Sequence, residues 1–285
     1  MKTTNIEYVS RSETNKRPKN EDSFIICQLT PNPKQSPLTL LAISDGIGGY
    51  EHGEDISREA LKKISLSLFE TLVFEPSINN QEKSKKLPTI ETLTIAIKEA
   101  IAETNAHIKR IIKNNSWDKS GATLAVALIS EAIAIISNLG DSLIYHYSHQ
   151  NYGQKIRQIT DNHTLASAIR RGGIISSEMA AHHEGKNMLE FYLGCDNLPP
   201  DLPIHYVSLY AEDLLLLCSD GVSSNFQEKE LKDILSEGDL KKISKKLISQ
   251  SRQGGGETDN QTLIVWRHLG KSADNETVIQ SIKKW

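Results

Sequence analysis

Two segments far apart in the chain read almost alike: LTLLAISDGIGG, from Leu38 to Gly49, and LLLLCSDGVSS, from Leu214 to Ser224. Each is an unbroken apolar run of strand length that ends in Ser-Asp-Gly. A strand apolar at successive positions has both faces buried, so a carboxylate at its end emerges at the edge of the sheet, where a loop can hold a ligand. Taken singly, an Asp-Gly after a strand is a turn. The repetition asks for a further reason.

The rest of the chain supplies the architecture. NIEYVS, SFIICQL and LTLLAIS read as strands separated by polar or Pro-containing turns. From Glu54 to Phe74 and again from Thr89 to Asn114 the apolar residues recur at helical spacing (Ile56, Ala60, Ile64, Leu68; Leu93, Ile97, Ile101, Ile108), which predicts two consecutive helices. ATLAVALI, EAIAIISN, SLIYHYS and QKIRQIT predict further strands, the second and third joined through Leu-Gly-Asp as a hairpin. A helical and irregular stretch from His163 to Asp201 leads to the strand EDLLLLCSDG, two amphipathic helices between Glu228 and Ser251, and a last strand, NQTLIVWRH. Strands in runs and helices in pairs are not the alternation of a doubly wound parallel sheet. The expected fold is α+β: two mainly antiparallel sheets packed face to face, a helical pair on each outer side (α-β-β-α), and a metal site at one edge. Residues 1–269 are expected to form a single domain, and 270–285 a weakly patterned tail, read as a terminal helix or a partly mobile segment.

A net charge of −3 over 285 residues, with no basic stripe interleaved with aromatics, argues against a nucleic-acid partner. The lysine clusters at Lys83–Lys86 and Lys241–Lys246 read as solvated faces. No run approaches the length that spans a bilayer, and three dispersed cysteines, Cys27, Cys195 and Cys218, read as reduced thiols, with Cys218 a core filler. A cytoplasmic monomer with no membrane partner is expected.

Other acids share the pattern of Asp45 and Asp220. Asp259 precedes the last strand, and Glu21 with Asp22 precedes the second. Carboxylates brought together repel one another and protonate unless cations neutralise them, so the cluster implies bound metal. No Cys or His joins the pattern, and oxygen ligands alone select hard ions such as magnesium or manganese. Gly46 and Gly221 permit sharp turns after their aspartates, and Gly46 offers a carbonyl as a further ligand.

These residues resemble, in order and along nearly the whole chain, the motifs of the metal-dependent protein phosphatases, the type 2C serine/threonine phosphatase family. RPKNED is similar to the opening Arg-x-x-Asn-Glu-Asp, SDGIGGYEHGEDIS to Asp-Gly-x-Gly-Gly and its continuation, and DKSGATLAVALI to the Ser-Gly-Thr-Thr strand. NLGDSLIYHY resembles the Gly-Asp-Ser-Arg hairpin, QITDNHTLA the Thr-x-Asp-His-Ser segment, LLCSDGVS the Cys-Ser-Asp-Gly strand, and TDNQTLIV the closing Asp-Asn-x-Thr. The resemblance implies hydrolysis of phosphoserine and phosphothreonine in phosphoproteins, the substrates of a partner serine/threonine kinase, by a hydroxide bridging two manganese or magnesium ions. By it Asp45 bridges the ions, Gly46 binds one through its carbonyl, Asp220 and Asp259 bind the other, and Glu21 binds through water. Asp22 and Asn260 stand behind these ligands, Asp118 joins Asp220 at a weaker third ion, and Arg17 clamps the substrate phosphate.

Departures from the family pattern are Ile47, where animal relatives carry a histidine, Ala122 in place of threonine or serine, Leu143 in place of the hairpin arginine, and Tyr50 where bacterial members often have histidine. The short chain, Ile47 and the compact Gly-Gly loop resemble the bacterial branch more than the plant or animal one. His52 follows in the same loop, but nothing in its spacing aims it at a leaving oxygen. His163, His182 and His183 fall in the segment that forms a flap in the family and read as surface histidines. Two rival readings are a binding module that keeps the fold without chemistry, against which all ligands being present argues, and a serine esterase, on the strength of Gly140–Leu143 reading Gly-Asp-Ser-Leu. That tetrapeptide lies in mid-chain, far from the N-terminal place it has in those esterases.

Overall fold

The computed structural model describes residues 6–30, 37–47, 52–74, 88–117, 120–149 and 154–270. Among the described residues ten strands form two sheets. The first comprises β1 (Glu7–Glu13), β6 (Leu143–Ser148), β7 (Lys155–Gln158), β9 (Leu214–Cys218) and β10 (Gln261–Arg267), in the order β1-β10-β9-β6-β7. The second comprises β2 (Asp22–Leu29), β3 (Leu38–Asp45), β4 (Leu124–Ser130), β5 (Ile133–Leu139) and β8 (His205–Ser208), in that order across the sheet. Every pairing is antiparallel.

The side-chain alternation of the central strands explains why their sequences are apolar throughout. On β3, Leu41 and Ile43 point into the layer between the sheets, where they meet Leu215 and Leu217 of β9. Leu38, Leu40 and Ala42 point outward, beneath α1 (Gly53–Phe69) and α2 (Ile90–Asn115). On β9, Leu214, Leu216 and Cys218 point to the other outer side, beneath α6 (Glu228–Leu235) and α7 (Leu240–Gln253). Three apolar layers therefore separate four layers of structure, the α-β-β-α sandwich expected from the order of elements. α1 continues through a π-helical turn at Glu70–Phe74. Thr89 starts α2, its hydroxyl accepting from the backbone N–H of Thr92.

One expected connection is different. Leu-Gly-Asp does not close a hairpin between β5 and β6, because β5 pairs with β4 and β8 in one sheet while β6 pairs with β9 and β7 in the other. Gly140, at φ +95°, turns the chain across the sandwich, and Thr123 fills the space a side chain there would take, 2.7 Å from its Cβ. β8 was not anticipated from sequence, and a one-turn α5 (Asp220–Ser223) begins at the second Ser-Asp-Gly. Between β7 and β8 lies the flap, with α3 (Leu165–Arg171) and α4 (Ser177–Ala181). The expected tail helix falls at residues 271–285, outside the described residues. Among the described residues no helix is long and apolar enough to cross a membrane.

α2 separates burial from propensity. Ile101 is fully buried against the second sheet, whereas Ile95 on the same helix is 49% exposed. Ile101→Ala is expected to cost about 2–5 kcal/mol by leaving a cavity, and Ile95→Ala to change stability by no more than about 0.5 kcal/mol, as read by urea unfolding.

Candidate metal centre

One end of the sandwich collects the acids. Antiparallel pairing of β2 with β3 sets Asp22 directly opposite Asp45, two carboxylates on neighbouring strands. Like charges so placed are destabilising. Asp220 opens α5 just beyond β9, and Asp259 precedes β10, whose pairing with β9 brings that start to the same end. Asp45 stands close enough to Asp22 and Asp220 for each to act on its charge.

The electrostatic consequence is uniform. Desolvation, then the neighbouring Asp22 and Asp220, holds Asp45 well above the ordinary carboxylate range. Desolvation pushes Asp22 up to about 7, and raises Glu21 and Asp220 as well. Asp141, in the crossing between β5 and β6, is pushed up to about 8 by desolvation and by Asp220. The sequence pattern assigned Asp141 to a turn, and its membership of the acid group is new here.

The donor set fits divalent cations. Asp22 Oδ1 and Asp220 Oδ1 are buried without hydrogen-bond partners, a costly condition that a cation or a water bound to one relieves. A side chain on Gly46 would collide with the backbone of Gly53, 2.2 Å from its carbonyl oxygen, so the turn after Asp45 admits only glycine. Among the described residues, no three His, Cys, Asp or Glu side chains are already gathered about one point; side-chain rotation has to close the set. Asp118 lies outside the described residues.

The framework behind the acids is hydrogen-bonded. Asn260 is a hub: its side-chain oxygen accepts from the backbone N–H of Glu21 at 2.8 Å, and its amide donates to the carbonyls of Thr14 and Lys19 at 3.0 Å each. It thereby ties the segment carrying Arg17 and Glu21 to the start of β10. Arg17 Nη2 reaches Asp259 Oδ1 at 3.0 Å, and its Nε donates to the Thr258 carbonyl. Ser219 Oγ donates to Asp22 Oδ2 at 2.8 Å. On the other side Thr123 secures Asp45: its N–H donates to the Asp45 carbonyl, its hydroxyl accepts from the Asp45 N–H, and its carbonyl accepts from Ser44 Oγ.

Ser142 Oγ pairs with Thr123 Oγ1 at 2.7 Å and is fully buried. That removes it as an esterase nucleophile. Ala122 and Leu143, two of the family departures, are buried: Ala122 exchanges two backbone hydrogen bonds with Leu193, and Leu143 packs in the layer beneath α6 and α7. His182 is exposed, in keeping with a surface role, but His163 is not a surface residue. It is 7% exposed, edge-on to Phe191, and burial followed by the charge of Arg171 pushes its imidazole down to about 4. His52 caps α1 in a left-handed conformation, φ 81°, its ring flat against Trp117 with centroids 3.9 Å apart.

The chain has known relatives. A family model for protein phosphatase 2C matches residues 15–259. The serine/threonine phosphatase Stp of Listeria welshimeri is 30% identical over 240 residues, covering 84% of this chain and 87% of its own. The solved serine/threonine phosphatase Stp1 from Staphylococcus aureus superposes with a TM-score of 0.73 at 26% identity, over 94% of this chain and 96% of that one. The catalytic domain of the serine/threonine protein phosphatase PstP, solved in complex with two manganese ions, shares the fold with a TM-score of 0.68 at 22% identity, over 93% of this chain and 98% of that one.

The raised acids fix how stability depends on pH when divalent ions are stripped by a chelator. Asp22 and Asp141 hold protons in the folded chain up to about 7 and about 8, against an ordinary 3.8, so their protonated forms favour folding at low pH. That contribution is complete below about pH 4 and lost as pH rises through 7 to 8. The chelated protein is expected to melt several degrees lower at pH 8 than at pH 5, and millimolar manganese or magnesium to remove most of the difference, as read by calorimetry.

Proposed function

The chain belongs to the protein phosphatase 2C family, and from that premise we propose that it is a serine/threonine protein phosphatase hydrolysing phosphoserine and phosphothreonine with two manganese or magnesium ions. The observation that carries the reading is the group of desolvated carboxylates at Asp22, Asp45 and Asp220 beside the Arg17–Asp259 pair, acids that must either hold protons or be balanced by cations. Asp45, Asp220, Asp259 and the Gly46 carbonyl would hold the ions with the help of Glu21, and Asp118 with Asp220 would take a weaker third. The two manganese ions bound by PstP support the number, and the all-oxygen donor set supports the identity.

When bound, the ions supply an activated water and positive charge for the phosphoryl oxygens. The chain's own residues do the rest. Arg17 presents a planar fork to the substrate phosphate, and Asp259 holds one end of that fork so that little freedom is left to lose on binding. Thr123 fixes both backbone groups of Asp45 and holds the neighbouring Ser44 hydroxyl, and Asn260 fixes the distance between the Arg17 segment and β10. No side chain forms a covalent bond to phosphorus, consistent with the candidate nucleophiles Ser142 and Cys218 being buried, the first with its hydroxyl paired to Thr123. His52 is engaged by Trp117 and Asp55, which supports a reaction that needs no histidine as proton donor. The substrates are phosphoproteins of a partner serine/threonine kinase, and the protein acts as a cytoplasmic monomer.

Phosphate release from a phosphothreonine peptide tests this directly. It is expected to require added manganese or magnesium and to stop in excess chelator, and Asp45→Asn or Asp220→Asn to lower turnover on the order of a thousandfold. Arg17→Ala is expected to raise KM more than it lowers kcat, with Lys rescuing only in part. Full activity in chelator overturns the reading.

A further inference from the structure

Gly121 is bare for a reason that lies in its surroundings. A Cβ built there would stand 2.5 Å from Cδ2 and 2.7 Å from Cε2 of Tyr192, and 2.7 Å from Cδ1 of Ile47. The ring of a flap residue and the side chain that follows the metal-binding glycine thus close over the same point. The backbone holds them there. Ile47 N–H donates to the Gly121 carbonyl at 3.0 Å, and single bridges run from Gly46 to Ala122 and from Ala122 to Leu193, so the flap root is the third member of a short ladder beginning at Gly46. The root is bolted down as well: Asn105 of α2 accepts from the Gly194 N–H at 2.7 Å and donates to the Cys195 carbonyl.

Ile47 and Tyr192 are each half-buried, so the apolar surface they make over Gly121 is reachable from solvent. It adjoins the glycine whose aspartate neighbour anchors the acids. A polypeptide whose phosphorylated residue lies at the metal centre has to lay its adjacent residues on the walls next to Gly46, and a small aryl phosphate does not reach them. We propose that Tyr192, seated with Ile47 over Gly121, is a specificity-determining residue that receives an apolar side chain adjacent to the phosphorylated serine or threonine. This rests on the phosphatase reading above and adds the substrate class to it: phosphopeptides with a leucine-like neighbour over those with glycine or glutamate. A single apolar side chain entering a pocket discriminates by about 10- to 200-fold, and the half-open seat puts this case at the lower end.

The test measures kcat/KM on phosphothreonine peptides that differ only in having Leu, Gly or Glu next to the phosphoresidue, together with an aryl phosphate. Wild type is expected to favour Leu about tenfold. Tyr192→Ala is expected to reduce that preference to within about twofold, chiefly through KM, while hydrolysis of the aryl phosphate stays within about twofold of wild type. Tyr192→Phe keeps both the ring and the preference. Preserved aryl phosphate hydrolysis separates a failure here from a failure of the phosphatase reading. No preference in wild type at any neighbouring position, a preference unchanged in Tyr192→Ala, or equal losses on peptide and aryl phosphate overturns the assignment. Should Tyr192→Ala not fold, Tyr192→Gln, which fills the space with a polar side chain, carries the same test.

Discussion

Mutual repulsion among carboxylates is the constraint on which this molecule turns. Asp22 and Asp45 face each other across two hydrogen-bonded strands, Asp45 stands close to Asp220, and Asp141 and Asp259 stand in the same field. In a chain selected only for stability, a pair of opposed acids at the end of a buried ladder would be replaced. Their retention makes sense where divalent charge is part of the folded state, because an ion converts repulsion into ligation and leaves water on it exchangeable. The sandwich serves that end. Three apolar layers, packed through both faces of β3 and β9, hold the strand ends rigid enough to keep the acids from moving apart.

The polar framework around the acids is as specific as the acids. Asn260 and Thr123 act on backbone rather than on side chains, one tying the Arg17–Glu21 segment to β10 and the other fixing both backbone groups of Asp45. Such positioning limits the ways in which the acids can relax away from one another. The glycines are constrained by contact: Gly46 by the Gly53 carbonyl, and Gly121 by Tyr192 and Ile47.

Much of this was legible in the residue pattern, for identifiable reasons. Runs such as LTLLAIS and LLLLC announce strands buried on both faces, and the 3.6-residue recurrence of Ile97, Ile101 and Ile108 announces a helix with one face buried. The partner of a strand was less legible. β5 is buried on both faces, so nothing in its alternation says which neighbour it takes, and the turn-like Leu-Gly-Asp concealed a crossing from one sheet to the other. The same camouflage hid Asp141. β8, four residues at a sheet edge, is too short for periodicity to register. Thr123 acts on the Asp45 backbone, and Ser142 on the Thr123 hydroxyl, through hydrogen bonds made across the fold, a role that residue type does not advertise. His163 looked like a loop histidine because the flap is polar, yet it is buried against Phe191.

The account holds that divalent ions belong among Asp45, Asp220 and Asp259, and anomalous diffraction from crystals grown with manganese tests that claim most directly. It predicts two strong anomalous peaks in contact with the Asp45 carboxylate, with Asp220 and Asp259 rotated to meet one of them. An ordered crystal at millimolar manganese with no peak at this end of the sandwich, and the Asp22, Asp45 and Asp220 side chains unmoved, would contradict it.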